Sequence, residues 1–253
     1  NGWMVADFLA PNTQADYTYP KALKAEIERN VGEYIIDVKD FRTDRKDFLL
    51  EQLYALMNNR FDVAEYLMAA KPWDFFMMVE MGVDRLHHGF WKYCDPCHPK
   101  FEPENPYRNA FREYYAALDR RVGQLLSRVG DETAVLVVSD HGAKAMHGGM
   151  CINEWLIREG FLHINDSLEF RKRIEECSID WSRTKAWASG GYYGRVFLNV
   201  AGREPNGIIP PSEYEDFRTE LIRRIESIPD PDGKPMGNRA LRPEDLYETD
   251  RKS

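Results

Sequence analysis

Ala134-Val135-Leu136-Val137-Val138-Ser139-Asp140-His141-Gly142 is the stretch on which the reading of this chain turns. Its five apolar residues are unbroken rather than alternating with polar ones, the pattern of a strand buried on both faces of a parallel sheet. The run ends in Ser139, Asp140 and His141, and Gly142 then permits a tight turn. A second run of the same kind, Phe75-Phe76-Met77-Met78-Val79, lies upstream and is followed by Asp84-Arg85-Leu86-His87-His88. Between the two, Tyr107 to Val129 places Phe111, Tyr115, Leu118, Val122, Leu125 and Leu126 at helical spacing. A strand, helix, strand crossover follows, and with it the α/β class: a mostly parallel sheet flanked by helices.

Working outward, Arg45 to Ala70 repeats Phe48, Leu49, Leu53, Leu56, Met57, Val63 and Leu67 at helical spacing, which predicts one or two amphipathic helices covering the sheet. The first 40 residues mix Pro, Asn, Gly and aromatics and read as loops around a short helix from Ala22 to Asn30. Beyond the second run, Ile152 to Glu159 and Leu168 to Cys177 read as helices. Lys185 to Ala188 and Arg195 to Val200 read as strands on either side of the Gly190-Gly191 turn, and His163 falls on a further expected strand. Ser212 with Glu215 three residues later forms an expected capping box opening a helix to about Ile228. The whole, 1–253, is expected to be one incomplete domain, with 161–253 as a smaller strand-helix extension, subdomain or insertion.

Composition narrows the function classes. In 253 residues, 43% are hydrophobic and 30% charged, the balance of a globular chain with ample apolar surface to bury. No apolar run approaches the ~18 residues of a membrane span. The net charge of -8 argues against a nucleic-acid duplex as partner, since such binders need a basic stripe to displace condensed counterions. A small anionic substrate remains compatible, because a metal ion inverts the local field. Cys94, Cys97, Cys151 and Cys177 are too few to staple the fold, so a reducing, cytoplasmic setting is expected. Cys94-Asp95-Pro96-Cys97 has metal or redox spacing, but no second such pair completes a four-sulfur site.

The chemistry lies at the ends of the two apolar runs, where ligands of open α/β sheets bind. Asp84 and His88, four residues apart, share one face if their segment is helical. Asp140 and His141 are adjacent and diverge on an extended segment, so they either point at different atoms or bridge two metals roughly 4 Å apart. Carboxylate oxygen and neutral imidazole suit zinc and, with more oxygen, manganese. The bland alternatives are a helix cap and surface pair for Asp84 and His88, and a polar turn for Asp140 and His141. Their recurrence after matching runs favours the metal reading. His87 is a packing residue or supports a ligand from behind. Arg85 either meets a substrate phosphate as a bidentate donor or pairs with a local carboxylate. His147, in Met146-His147-Gly148-Gly149, is either a further ligand or a pocket-edge residue, and His98 and His163 are structural.

These motifs carry a resemblance. Val137-Val138-Ser139-Asp140-His141-Gly142 ahead of Asn153-Glu154-Trp155-Leu156 and Glu159-Gly160-Phe161-Leu162, with Asp84-Arg85-Leu86-His87-His88 upstream, resembles the predicted phosphohydrolase/phosphomutase group of the type I phosphodiesterase/nucleotide pyrophosphatase family, in the alkaline phosphatase superfamily. Asn199 to Ile208 looks like the same group. The resemblance implies an alkaline-phosphatase-like fold and two divalent metal ions, zinc or manganese. It matches Asp84 and His88 to ligands of one metal and Asp140 and His141 to ligands of the other. It also implies a Ser or Thr nucleophile and further ligands with no match here, so the chain reads as an internal piece. The implied activity is hydrolysis of phosphodiesters or nucleotides, the partner being a small-molecule phosphate ester. A phosphomutase, a sulfatase-like esterase and a noncatalytic metal-stabilised binding module are the competing readings.

Overall fold

The computed structural model describes residues 2–167, 172–191 and 193–247, which divide into two compact units, Asn1–Gly148 and Gly149–Ser253. The first unit is built on three helices. Lys46–Ala70 (α2) runs 25 residues without a Gly or Pro to interrupt it, and it stops where Lys71 turns extended ahead of Pro72, whose ring disfavours the helical conformation in the residue before it. Gly82–Cys94 (α3) and Ala110–Leu126 (α4) pack on it. Leu49, Leu53, Met57 and Phe61 from α2 meet Leu86, Phe90 and Tyr93 from α3 and Ala110 and Tyr114 from α4 in one core. Each such side chain fully removed from water contributes roughly 1.5–3 kcal/mol. The approach of α3 to α2 is close at Gly89, where a Cβ would come 3.1 Å from Leu49 Cδ2.

Ahead of these helices, Ala22–Asn30 (α1) buries Leu23 and Ile27 with Tyr17, Tyr34 and the α2 residue Val63 in a second, smaller core. A short antiparallel pair, Met4–Val5 (β1) with Thr18–Tyr19 (β2), closes this end. Arg60, buried on α2, donates to both oxygens of Asp7 and to the Ile36 carbonyl, tying the loops to the helix.

In the second unit, Ala186–Gly190 (β3) and Gly194–Leu198 (β4) form an antiparallel hairpin with Ala188 opposite Val196. Alternation puts Ala186 and Ala188 in the core and leaves Trp187 stacked on Phe197 on the other face, ring centroids 5.5 Å apart. Ile152–Arg158 (α5) and Tyr214–Glu226 (α6) cover the inner face, with Leu156, Leu162, Leu198, Val200, Ile209 and Leu221 completing the core. Asn153 fastens α5 to the hairpin by a paired amide contact, donating to Ala188 O and accepting from Ala188 N, each at 2.8 Å. A last short helix, Pro243–Leu246 (α7), pairs with α6 through Glu244 and Arg218.

Several expectations need correction. Neither Phe75–Val79 nor Ala134–Val138 pairs into a sheet: among the described residues both sheets are two-stranded and antiparallel, so the strand, helix, strand crossover is reduced to α4 between two unpaired runs. Leu136, Val137 and Val138 are each about 85% exposed and Phe75 is 81% exposed. An apolar run gives strand propensity, but a strand exists only where another segment supplies the ladder, and among the described residues none does so. The region Arg45 to Ala70 is one helix. Of the expected helix Leu168 to Cys177, residues 168–171 lie outside the described residues and only the turn Ile174–Glu176 is helical, as a 3-10 helix. Ser212 does not cap its helix: Pro211–Glu213 forms a 3-10 turn instead, and the proline takes the first position. His163 lies beside an isolated bridge, Ile164 with Ile179, rather than on a strand.

Candidate metal centre

The four proposed ligands all lie in the first unit. Asp84 and His88 sit on α3 one turn apart, and the helical period brings Asp84 Oδ1 to 3.4 Å from His88 Nε2. His88 is exposed, its side chain 51% accessible, whereas Asp84 is half-buried, with Oδ2 3.4 Å from Arg85 Nη1. Asp140 and His141 lie at a bend outside helix and strand, 3.7 Å apart at their nearest charged atoms and strongly exposed. The His141 imidazole is held above the usual histidine range, first by its 3.0 Å contact with Gly142 O, then by the charge of Asp140, with Asp84 adding in the same direction. His147 is exposed in the segment that follows and joins neither pair. Among the described residues no three His, Cys, Asp or Glu side chains converge as a ligand cluster.

The donor chemistry nonetheless fits a divalent ion. Each pair offers one carboxylate and one imidazole, the ligand types of zinc and manganese sites, and both are accessible. Each pair alone offers two donors, one fewer than the three protein ligands usual in catalytic zinc sites.

The neighbours of α3 decide what else can act. Arg85 is committed: its Nε and Nη2 meet Asp37 at 3.1 and 2.7 Å, and it lies between the rings of Phe8 and Phe41. This is the ion-pair alternative, not a guanidinium free for phosphate. His87 packs edge-on against Trp91 and Phe111, with Nε2 3.1 Å from the Tyr115 hydroxyl, and burial lowers its basicity. Ser139 Oγ donates to the His141 carbonyl, which occupies its proton in a local turn. Cys94 donates its thiol to Tyr107 O, and burial pushes its pKa up. All four cysteines are free thiols.

Sequence reasoning missed Glu80. Its Oε1 accepts the Gly82 N–H and its Oε2 the Val83 N–H, both at 2.9 Å, while the Tyr114 hydroxyl lies 3.1 Å from Oε1. Two of the first N–H groups of α3, which have no partner within the helix, are thereby satisfied. Burial pushes the Glu80 carboxyl above the ordinary range, against the pull of these donors. A Cβ on Gly82 would come 1.9 Å from the Tyr114 hydroxyl, so only glycine admits this contact. An acidic residue two positions before a glycine at a helix start was the available signal.

The first unit is helical and carries the two carboxylate–imidazole pairs, and the second packs helices on an antiparallel hairpin. The chain belongs to the type I phosphodiesterase/nucleotide pyrophosphatase family, whose model matches residues 1–251. Membership implies an α/β fold of the alkaline phosphatase kind, a hydrolase acting on phosphate esters or nucleotides, and the use of divalent metals. No curated protein and no solved structure matches the chain. Among the described residues no helix is long and apolar enough to cross a membrane.

Proposed function

We propose that this chain carries part of the metal-binding centre of an enzyme that hydrolyses phosphodiesters or nucleotides. Asp84 and His88 hold one divalent ion and Asp140 and His141 the other, zinc first and manganese second. The observation that carries this reading is the Asp84–His88 pair, one helical turn apart on α3 with Oδ1 3.4 Å from Nε2. Bound ions would polarise the phosphoryl group and stabilise the leaving oxygen. The chain's own part is to keep Asp84 and His88 on one side of α3, and to present His141 neutral above its raised pKa.

The nucleophile in this reading is a Ser or Thr other than Ser139, whose hydroxyl is turned to the His141 carbonyl. With two donors per ion and no positioned hydroxyl, the 253 residues by themselves are expected to turn over little substrate, since losing such positioning forfeits many orders of magnitude. His147 is held in reserve as a ligand or pocket-edge residue, and a cytoplasmic setting belongs to the same reading. The mostly parallel sheet is part of it too, with Phe75–Val79 and Ala134–Val138 as its strands in one domain extended by 161–253. Amide exchange in the enzyme tests that directly: protection across both runs supports the sheet, and free exchange removes it.

The functional test is a titration of the chain with zinc and with manganese, followed by assay against a chromogenic phosphodiester, beside Asp84→Ala and His141→Ala. Metal binding weakened by both substitutions is expected. Binding untouched by either would overturn the assignment.

A further inference from the structure

We infer that Glu80 is a positioning residue for the Asp84/His88 ligand pair, acting by fixing the start of α3 against α4. The inference rests on the metal reading above and adds to it a residue that touches neither ion nor substrate. Three donors converge on one carboxylate: Gly82 N–H and Tyr114 O–H at Oε1, and Val83 N–H at Oε2. The two amides belong to the first turn of α3, so their directions set the rotation of the helix about its axis. Asp84 is the very next residue after Val83. Any rotation of that turn therefore moves the Asp84 carboxylate directly and His88 one turn later.

The anchor on the other side is rigid. Tyr114 is fully buried in the three-helix core, its ring 5.1 Å from that of Tyr54, and its hydroxyl also lies 3.3 Å from the Leu53 carbonyl on α2. Glu80 thus joins the N-terminus of α3 to the Tyr114 side chain on α4. Only a carboxylate serves both amides, because its two oxygens each accept; an amide of the same shape turns an NH2 towards one of the two N–H groups. Groups hydrogen-bonded directly to metal ligands typically set metal affinity by 10- to 100-fold, and a carboxylate that fixes the helix turn carrying the ligands acts in the same direction.

The test compares the full chain with Glu80→Gln and with Leu125→Ala, a core variant in α4 that lowers stability without touching the start of α3. Zinc and manganese dissociation constants are measured beside thermal unfolding and amide exchange. The expected result is a metal dissociation constant at least tenfold higher in Glu80→Gln than in Leu125→Ala when the two are compared at matched fraction folded, with exchange accelerated at Gly82 to Arg85 in the former alone. Glu80→Asp, which keeps a carboxylate able to accept one of the amides, is expected to recover part of the affinity. Equal metal affinity in Glu80→Gln and Leu125→Ala would make the role merely structural and overturn the inference. If the unsubstituted chain bound metal and Asp84→Ala abolished binding while Glu80→Gln kept it, the inference alone would fall. An unsubstituted chain that binds neither ion would instead remove the metal reading and this inference with it.

Discussion

Arg85 gives one edge of its guanidinium to Asp37 in a side-on bidentate pair, with Nε 3.1 Å from Oδ1 and Nη2 2.7 Å from Oδ2. The pair joins α3 to the loop before α2, and both side chains are mostly withdrawn from solvent. Removing one partner leaves the other charge partly buried, so Asp37→Ala is expected to cost about 1–2 kcal/mol after allowance for partial screening. A double-mutant cycle with Arg85→Ala reads the coupling from chemical denaturation. Coupling near zero would return Arg85 to the pool of groups free to meet a phosphate.

The two ligand pairs should respond to one ion population. Manganese is paramagnetic, so its binding broadens nearby resonances, and the imidazole signals of His88 and His141 are expected to broaden together at low metal. His98, whose Nδ1 accepts the Lys100 N–H in a separate turn, serves as the internal control. Broadening of His88 with His141 unaffected would separate the pairs.

The cysteines are expected to be dispensable for phosphoester turnover. Cys97 and Cys151 are exposed, whereas Cys94 is half-buried with its thiol shifted towards the neutral form. Alkylation should therefore modify Cys97 and Cys151 first and Cys94 last, with the enzyme's turnover and metal content unchanged. Loss of turnover at constant metal content would contradict this.

Alkaline pH should unfold the first unit in part through Tyr34. Burial is the main reason its hydroxyl is pushed up to about 12 from the ordinary 10, despite the Arg60 cation close by. The folded state therefore keeps its proton when the unfolded state has lost it. The contribution is fully present below pH 10 and lost as pH rises towards 12, roughly 2–3 kcal/mol across that window. Tyr34→Phe should flatten the fall in stability between pH 10 and 12, followed by denaturant midpoints. An unchanged slope would show that Tyr34 is not the group responsible.

Local pattern was enough to read α1 from Ala22 to Asn30, the helix after Arg45, α4, α5 and the Gly190-Gly191 hairpin, because helical and strand periods are written in residues a few positions apart. The likeness of Asp84, His88, Asp140 and His141 to one family's motifs was legible in the same way. Tertiary structure decided what local pattern does not contain. Phe75–Val79 and Ala134–Val138 have the composition of buried strands but no partners among the described residues, since a ladder depends on segments distant in sequence. Asp37 claims Arg85 across 48 positions, and Tyr114 reaches Glu80 across 34. A side chain's type follows from sequence, but its partner is chosen by how helices pack, and that choice separates a free arginine from an ion pair and an ordinary glutamate from the anchor of a helix.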